Sequence, residues 1–155
     1  MSEQTFRDAM ARLPAGVVVV TARAGDGYRG LTASSLVSVS LEPPLVAVAL
    51  ERESATRAAV LAGGRFNVSV LTREQEFLAD RFAGRAPAVD WHSVPYRLGA
   101  DRLPLLEGCA AWLECRLVAT HEAGDHDVCI GQVLAAELGA GDPLILWDRA
   151  FWSLR

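Results

Sequence analysis

The chain has 155 residues, 51% of them hydrophobic and 22% charged, with a formal net charge of −4. That balance excludes a disordered chain and points to a single globular domain over residues 1–155. No basic block offers a footprint for nucleic acid, no apolar run reaches the roughly 20 residues of a membrane helix, and MSEQTFRDAM lacks a secretory signal layout, so no nucleic-acid or membrane partner is expected and the expected location is cytoplasmic.

In chain order, TFRDAMARL reads as a helix opened by a Thr5–Asp8 capping box, with Phe6, Met10 and Leu13 on one face and Pro14 as its stop. VVVVT then reads as a buried strand, and AGDG (24–27) as a turn. In GLTASSLVSVSL the alternation is strand-like: Val37, Val39 and Leu41 point one way, Leu36, Ser38 and Ser40 the other, with Ser38 and Ser40 expected on the wetter face. The proline pair at Pro43–Pro44 breaks the ladder, and LVAVAL follows as a strand apolar on both faces. Ser54 is placed to cap SATRAAVLAGG, whose glycines end the helix. RFNVSVL is another strand, and TREQ is a second capping box leading to Phe77, Leu78 and Phe82. Residues 84–104, with three prolines, read as an irregular excursion. CAAWLECRLVAT and HDVCIGQVLAAEL form a long hairpin around EAGD, and PLILWDRAFWSL closes the chain as a final strand. Six or seven strands with short helices between them predict a mainly β fold, a closed or nearly closed barrel with peripheral helices.

GDGYRG (25–30) matches the G-x-G-x-x-G dinucleotide fingerprint letter for letter. That fingerprint requires a helix to start at the glycines, whereas a period-two stretch follows here, so the segment reads as a hairpin loop. Cys109, Cys115 and Cys129 lack CxxC spacing and lie in apolar runs, which reads as buried free thiols. His92, His121 and His126 show no metal-ligand spacing, and there is no G-x-S-x-G elbow. The helix start at Ser54-Ala55-Thr56, with Arg57 beside it, is an anion site or simply a capped helix. His126 follows the turn residues Gly124 and Asp125 at the tip of the long hairpin.

Taken in order, T-x-S-S, S-x-S-L-x-P-P, S-x-T, R-F-A and G-D-H resemble the flavin reductase-like family, with its FMN-binding split-barrel, Greek-key fold. The resemblance covers nearly the whole chain. It implies a homodimer that binds FMN or FAD at the subunit interface, reduces it with NADH or NADPH, and supplies reduced flavin to a separate flavin-dependent oxygenase. By position, Thr32, Ala33, Ser34 and Ser35 would meet the flavin ring edge and ribityl chain, with Ser40 approaching the site. Ala49, Leu50 and Glu51 would line the pocket beside the ring. Ser54, Ala55 and Thr56 would take the phosphate, with Arg81 and Phe82 completing that wall. His126 and Phe151 would border the slot for nicotinamide, His126 positioning it rather than acting as a base. Phe151 stands where the family usually has Tyr, so a hydroxyl is lost, and Leu36 replaces a commoner Phe. The alternative implied by the same fold is a flavin-binding or electron-carrier protein that turns over no nicotinamide.

Overall fold

The computed structural model describes residues 1–84 and 89–154; residues 85–88 of the predicted excursion and Arg155 lie outside the described residues. In chain order the elements are α1 (Glu3–Met10), β1 (Ala15–Gly16), β2 (Val18–Ala24), β3 (Gly27–Ala33), β4 (Val37–Leu41), β5 (Pro44–Glu51), α2 (Ala55–Gly63), β6 (Arg65–Val70), α3 (Glu76–Arg81), β7 (Tyr96–Leu98), β8 (Pro104–Leu106), β9 (Ala111–Ala123), β10 (His126–Leu138), β11 (Leu144–Trp147) and β12 (Ala150–Ser153).

Seven strands form one sheet in the order β3-β2-β6-β9-β10-β5-β4, every pair antiparallel. Its edge strands, β3 and β4, are joined by only Ser34–Leu36 yet do not pair with each other. The sheet therefore wraps around a core and stays split along one seam, as the mainly β reading expects. The tetravaline run shows why the wrap is stable. Val18 and Val20 point into the barrel with Val46, Val48, Leu50, Phe66 and Val68. Val17 and Val19 point the other way, into a second cluster with Leu71, Leu78, Phe82, Leu106 and Leu144. A strand covered on both faces reads as a continuous apolar run, and VVVV is that pattern.

Several local expectations change. The first helix begins earlier than TFRDAMARL suggested: Ser2 is its cap, its Oγ accepting from the Thr5 N–H at 3.0 Å, and Thr5 lies inside the helix. None of its residues is buried, so Phe6 and Met10 form no core face, and Leu13 falls beyond its end. On β4 the expected dry face is missing, while Ser38 is exposed as expected. Val37, Val39 and Leu41 are 55%, 53% and 90% exposed while Ser40 is half-buried, because β4 is an edge strand whose register shifts between Ser38 and Ser40. The closing segment is a hairpin, β11–β12, rather than one strand. It turns at Asp148 and Arg149, whose φ angles of 49° and 63° are those of a two-residue type I′ turn. The excursion also holds order: β7 and β8 pair, and β8 is fully buried.

Other readings hold as written. Ser54 caps α2 and Gly64, at φ 65°, ends it. The TREQ capping box makes both of its reciprocal bonds. Gly25 and Asp26 make the turn of the β2–β3 hairpin, and no helix starts at the glycine fingerprint, but the loop read over residues 25–30 is shorter than expected, since Gly27–Gly30 already belong to strand β3. All three cysteines are buried and free. Burial pushes the Cys109 thiol up to about 11 and the Cys115 thiol up to about 12, and it raises Cys129 as well.

Candidate functional site

A cavity of about 540 Å³ opens along the free edge of β3, bounded by the end of β5, the start of α2, the end of α3 and the tip of the β9–β10 hairpin. Twelve residues singled out in the sequence line it: Thr32, Ala33, Ser34, Ser35, Ala49, Glu51, Ser54, Ala55, Thr56, Arg81, Phe82 and His126. They are separated by up to 94 positions in the chain and are gathered only by the fold.

The hydroxyls divide into those that build the wall and those that face the space. Thr32 ties β3 to α3, its Oγ1 donating to the Ala79 carbonyl at 2.7 Å and its N–H to the Phe82 carbonyl at 2.9 Å. Ser35 substitutes for a missing strand partner on β5: its Oγ accepts the Ala49 N–H at 3.1 Å and donates to the Ala49 carbonyl at 3.0 Å. These two side chains are positioning groups rather than open donors. Ser34 lies between them, exposed, and has no side-chain partner among the described residues.

At the start of α2, the Ser54 Oγ accepts the Arg57 N–H at 3.0 Å, and the N–H groups of Ala55 and Thr56 meet the cavity as unsatisfied first-turn donors. The charge expected from Arg57 does not reach them. Its Nε and Nη2 lie 2.6 and 2.5 Å from Asp127 Oδ2, so the guanidinium is neutralised by a carboxylate that is 1% exposed. Among the described residues, the arginines that do line the cavity are Arg29 and Arg81. Arg81 donates to the Ser93 Oγ at 2.8 Å, and neither arginine has an ion pair among the described residues.

His126 begins β10 directly across from Glu51 on β5. Its Nδ1 is 2.7 Å from Asp125 Oδ1, and this bond to His126 holds the Asp125 carboxyl below the usual range. An ionised carboxylate only accepts, so Nδ1 carries the proton and a neutral His126 presents Nε2 as an acceptor.

Three predicted residues lie elsewhere. Leu50 alternates with Ala49 and Glu51 along β5, so it points into the barrel core at 1% exposure. Ser40 sits on β4 opposite Leu45, at the far end of β5 from Glu51. Phe151 lines a separate shallow cleft with Arg73, Glu76 and Trp152.

The cavity also has walls that the sequence reading passed over: Tyr28, Arg29, Gly30, Glu53, Val89 and Trp91. Gly30 was visible only as the last glycine of a misleading fingerprint. Its role is close approach, since a Cβ there would lie 2.6 Å from Phe82 Cε1. Trp91, in the excursion, donates its Nε1–H to the Tyr28 carbonyl at 3.1 Å and packs edge-on to the Tyr28 ring.

Similarity to known proteins agrees with this architecture. The chain is 36% identical over 150 residues to the FMN reductase (NADH) SmoA of Agrobacterium fabrum, covering 97% of this chain and 85% of that one. It is 37% identical over 153 residues to the reductase component of 4-hydroxyphenylacetate 3-monooxygenase of Thermus thermophilus, covering 98% and 97%. Among solved structures, BorF, the flavin reductase component of a bacterial two-component tryptophan halogenase, superposes with a TM-score of 0.92 at 34% identity over 99% of this chain and 98% of that one. The Flavin reductase like domain matches residues 10–155, from the last residue of α1 onward, and the chain belongs to that family.

Proposed function

We propose that this chain is an NAD(P)H:flavin reductase that passes its reduced flavin to a separate flavin-dependent oxygenase. The observation that carries this reading is the joining, in one cavity, of the backbone edges of β3 and β5 with the open N–H groups of α2. A flavin mononucleotide has the matching shape: a flat ring with polar edges at one end and a phosphate at the other. The residues present fit it. Small side chains at Ala33, Ser34 and Ala49 let a ring approach the backbone, and Ser54, Ala55 and Thr56 offer an anion site at the positive end of a helix.

When bound, flavin supplies the redox chemistry by accepting hydride from nicotinamide C4 at its N5. The chain's own residues hold and orient. Ser34 and the backbone near Ala49 bind the ring edge, and Ser35 and Thr32 keep those strands in place. Ser54 donates its hydroxyl proton to the phosphate, and Arg81 balances its charge. His126, fixed by Asp125, accepts from the nicotinamide amide through Nε2 and moves no proton. The exposed apolar face of β4 supports a homodimer, and Phe151 joins the nicotinamide slot only across that dimer.

The test is anaerobic mixing of protein with NADH or NADPH and excess flavin, following loss of flavin absorbance. Bleaching over many turnovers is expected. Stoichiometric or absent bleaching sinks the reductase reading in favour of a carrier. In the same assay His126→Ala should raise the KM for nicotinamide; unchanged KM and turnover would remove its positioning role.

A further inference from the structure

We propose that the cavity holds a second subsite, along β3 from Thr32 to Tyr28, that takes the adenylate half of FAD and makes FAD the preferred flavin. This inference rests on the flavin-reductase reading. The flavin contacts assigned above touch β3 only at Thr32 and beyond it. The cavity continues for four more residues toward Tyr28, about 13 Å of strand. That extension is furnished with three features that a mononucleotide does not fully use.

The first is a donor–acceptor pair. The Thr32 N–H reaches Phe82 and the Tyr28 carbonyl receives Trp91, so residues 28, 30 and 32 aim their backbone groups away from β2. Gly30 lies between them, and its N–H and C=O both face outward with no partner among the described residues. An adjacent donor and acceptor is what reads adenine, as a side-chain amide does when it bonds bidentately to the base. The second feature is charge. Arg29, which a single phosphate leaves unused, joins Arg81 along the cavity, and neither has an ion pair among the described residues, whereas Arg57 is neutralised by Asp127. Two open guanidiniums suit a pyrophosphate better than a single phosphate. The third is the apolar wall of Trp91 and Val89, suited to the flat face of a base.

NADH also carries an adenylate half, and the experiment separates the two sources. FAD, FMN and AMP are titrated into the purified protein by calorimetry, and flavin reduction is followed with FAD, FMN and riboflavin. FAD should bind at least about tenfold tighter than FMN, AMP should compete with FAD, and Arg29→Glu should erase most of the FAD advantage, a loss of about tenfold in the FAD-to-FMN ratio of kcat/KM. Arg29→Ala, with an unchanged melting temperature, should give a smaller loss in the same direction. Equal affinity for FAD and FMN, or an FAD advantage that survives both substitutions, overturns the subsite. A rise in the KM for NADH at saturating FMN in Arg29→Glu assigns the adenylate to NADH and overturns the choice of FAD. Sustained FMN reduction with no FAD preference fails this inference alone, whereas no turnover with any flavin fails the reductase reading beneath it.

Discussion

The hydroxyl of Ser54 accepts the Arg57 N–H at 3.0 Å, which leaves its own proton available to a phosphate in the cavity. Capping and anion binding are thus compatible at one oxygen, and the two roles can be separated by substitution. Ser54→Ala should cost about 1 kcal/mol of stability through the lost cap, while Ser54→Gly should cost only a few tenths, because glycine is tolerated at that position. Both variants lose the phosphate donor, so both should raise the KM for FMN by roughly fivefold and leave riboflavin, which has no phosphate, unaffected. Urea unfolding and steady-state kinetics with the two flavins check this. An FMN defect in Ser54→Ala that disappears in Ser54→Gly would mean that the hydroxyl serves the helix alone. The contrast with Arg57 shows what sequence can reveal at this scale. The cap is local, written in the residues Ser54 to Arg57, and was legible. The partner of Arg57 is Asp127, 70 positions away, and nothing near Arg57 announces it.

Among the elements, β4 exposes an apolar row that needs a partner. It pairs, among the described residues, only with β5, and its apolar residues Val37, Val39 and Leu41 face outward. A twisted edge strand with an exposed apolar row is an association surface, and self-association into the proposed homodimer is the occupant that the flavin-reductase reading supports. Val39→Lys should convert a wild-type dimer to a monomer in sedimentation velocity and weaken flavin binding along with it. A monomeric wild type, or a dimer that survives Val39→Lys with full flavin affinity, would place the interface elsewhere. Period two identified β4 as a strand but could not say which side meets water, since apolar residues ordinarily face the core. The β11–β12 turn was hidden for a different reason. Its left-handed residues are Asp148 and Arg149, with no glycine or asparagine to mark them.

For the molecule as a whole, the barrel was readable because alternation and the VVVV run repeat along many segments and agree. The cavity was readable only in part, since β3, β5, α2, α3 and a hairpin tip meet there through contacts that no local pattern encodes. Its extension past Thr32 depends on how an excursion folds back to set Trp91 against Tyr28. The buried thiols carry a consequence for the entire fold. Burial raises Cys109 from 9.0 to about 11 and Cys115 from 9.0 to about 12, with Cys129 shifted in the same direction. Above pH 9 the unfolded chain releases these protons while the folded chain keeps them, so the unfolded state binds fewer protons and stability falls as pH rises. The contribution is fully present below the unfolded value and is lost as pH climbs toward the folded values. Its steepest slope is about 1.4 kcal/mol per pH unit for each thiol. The chain contains no lysine, so this window holds little besides the three thiols and two tyrosines. Urea unfolding at pH 8, 9 and 10 should show the decline, and Cys115→Ala should flatten it whatever its effect on stability at pH 8. An equal slope in wild type and Cys115→Ala would show that this thiol ionises as readily in the folded barrel as outside it.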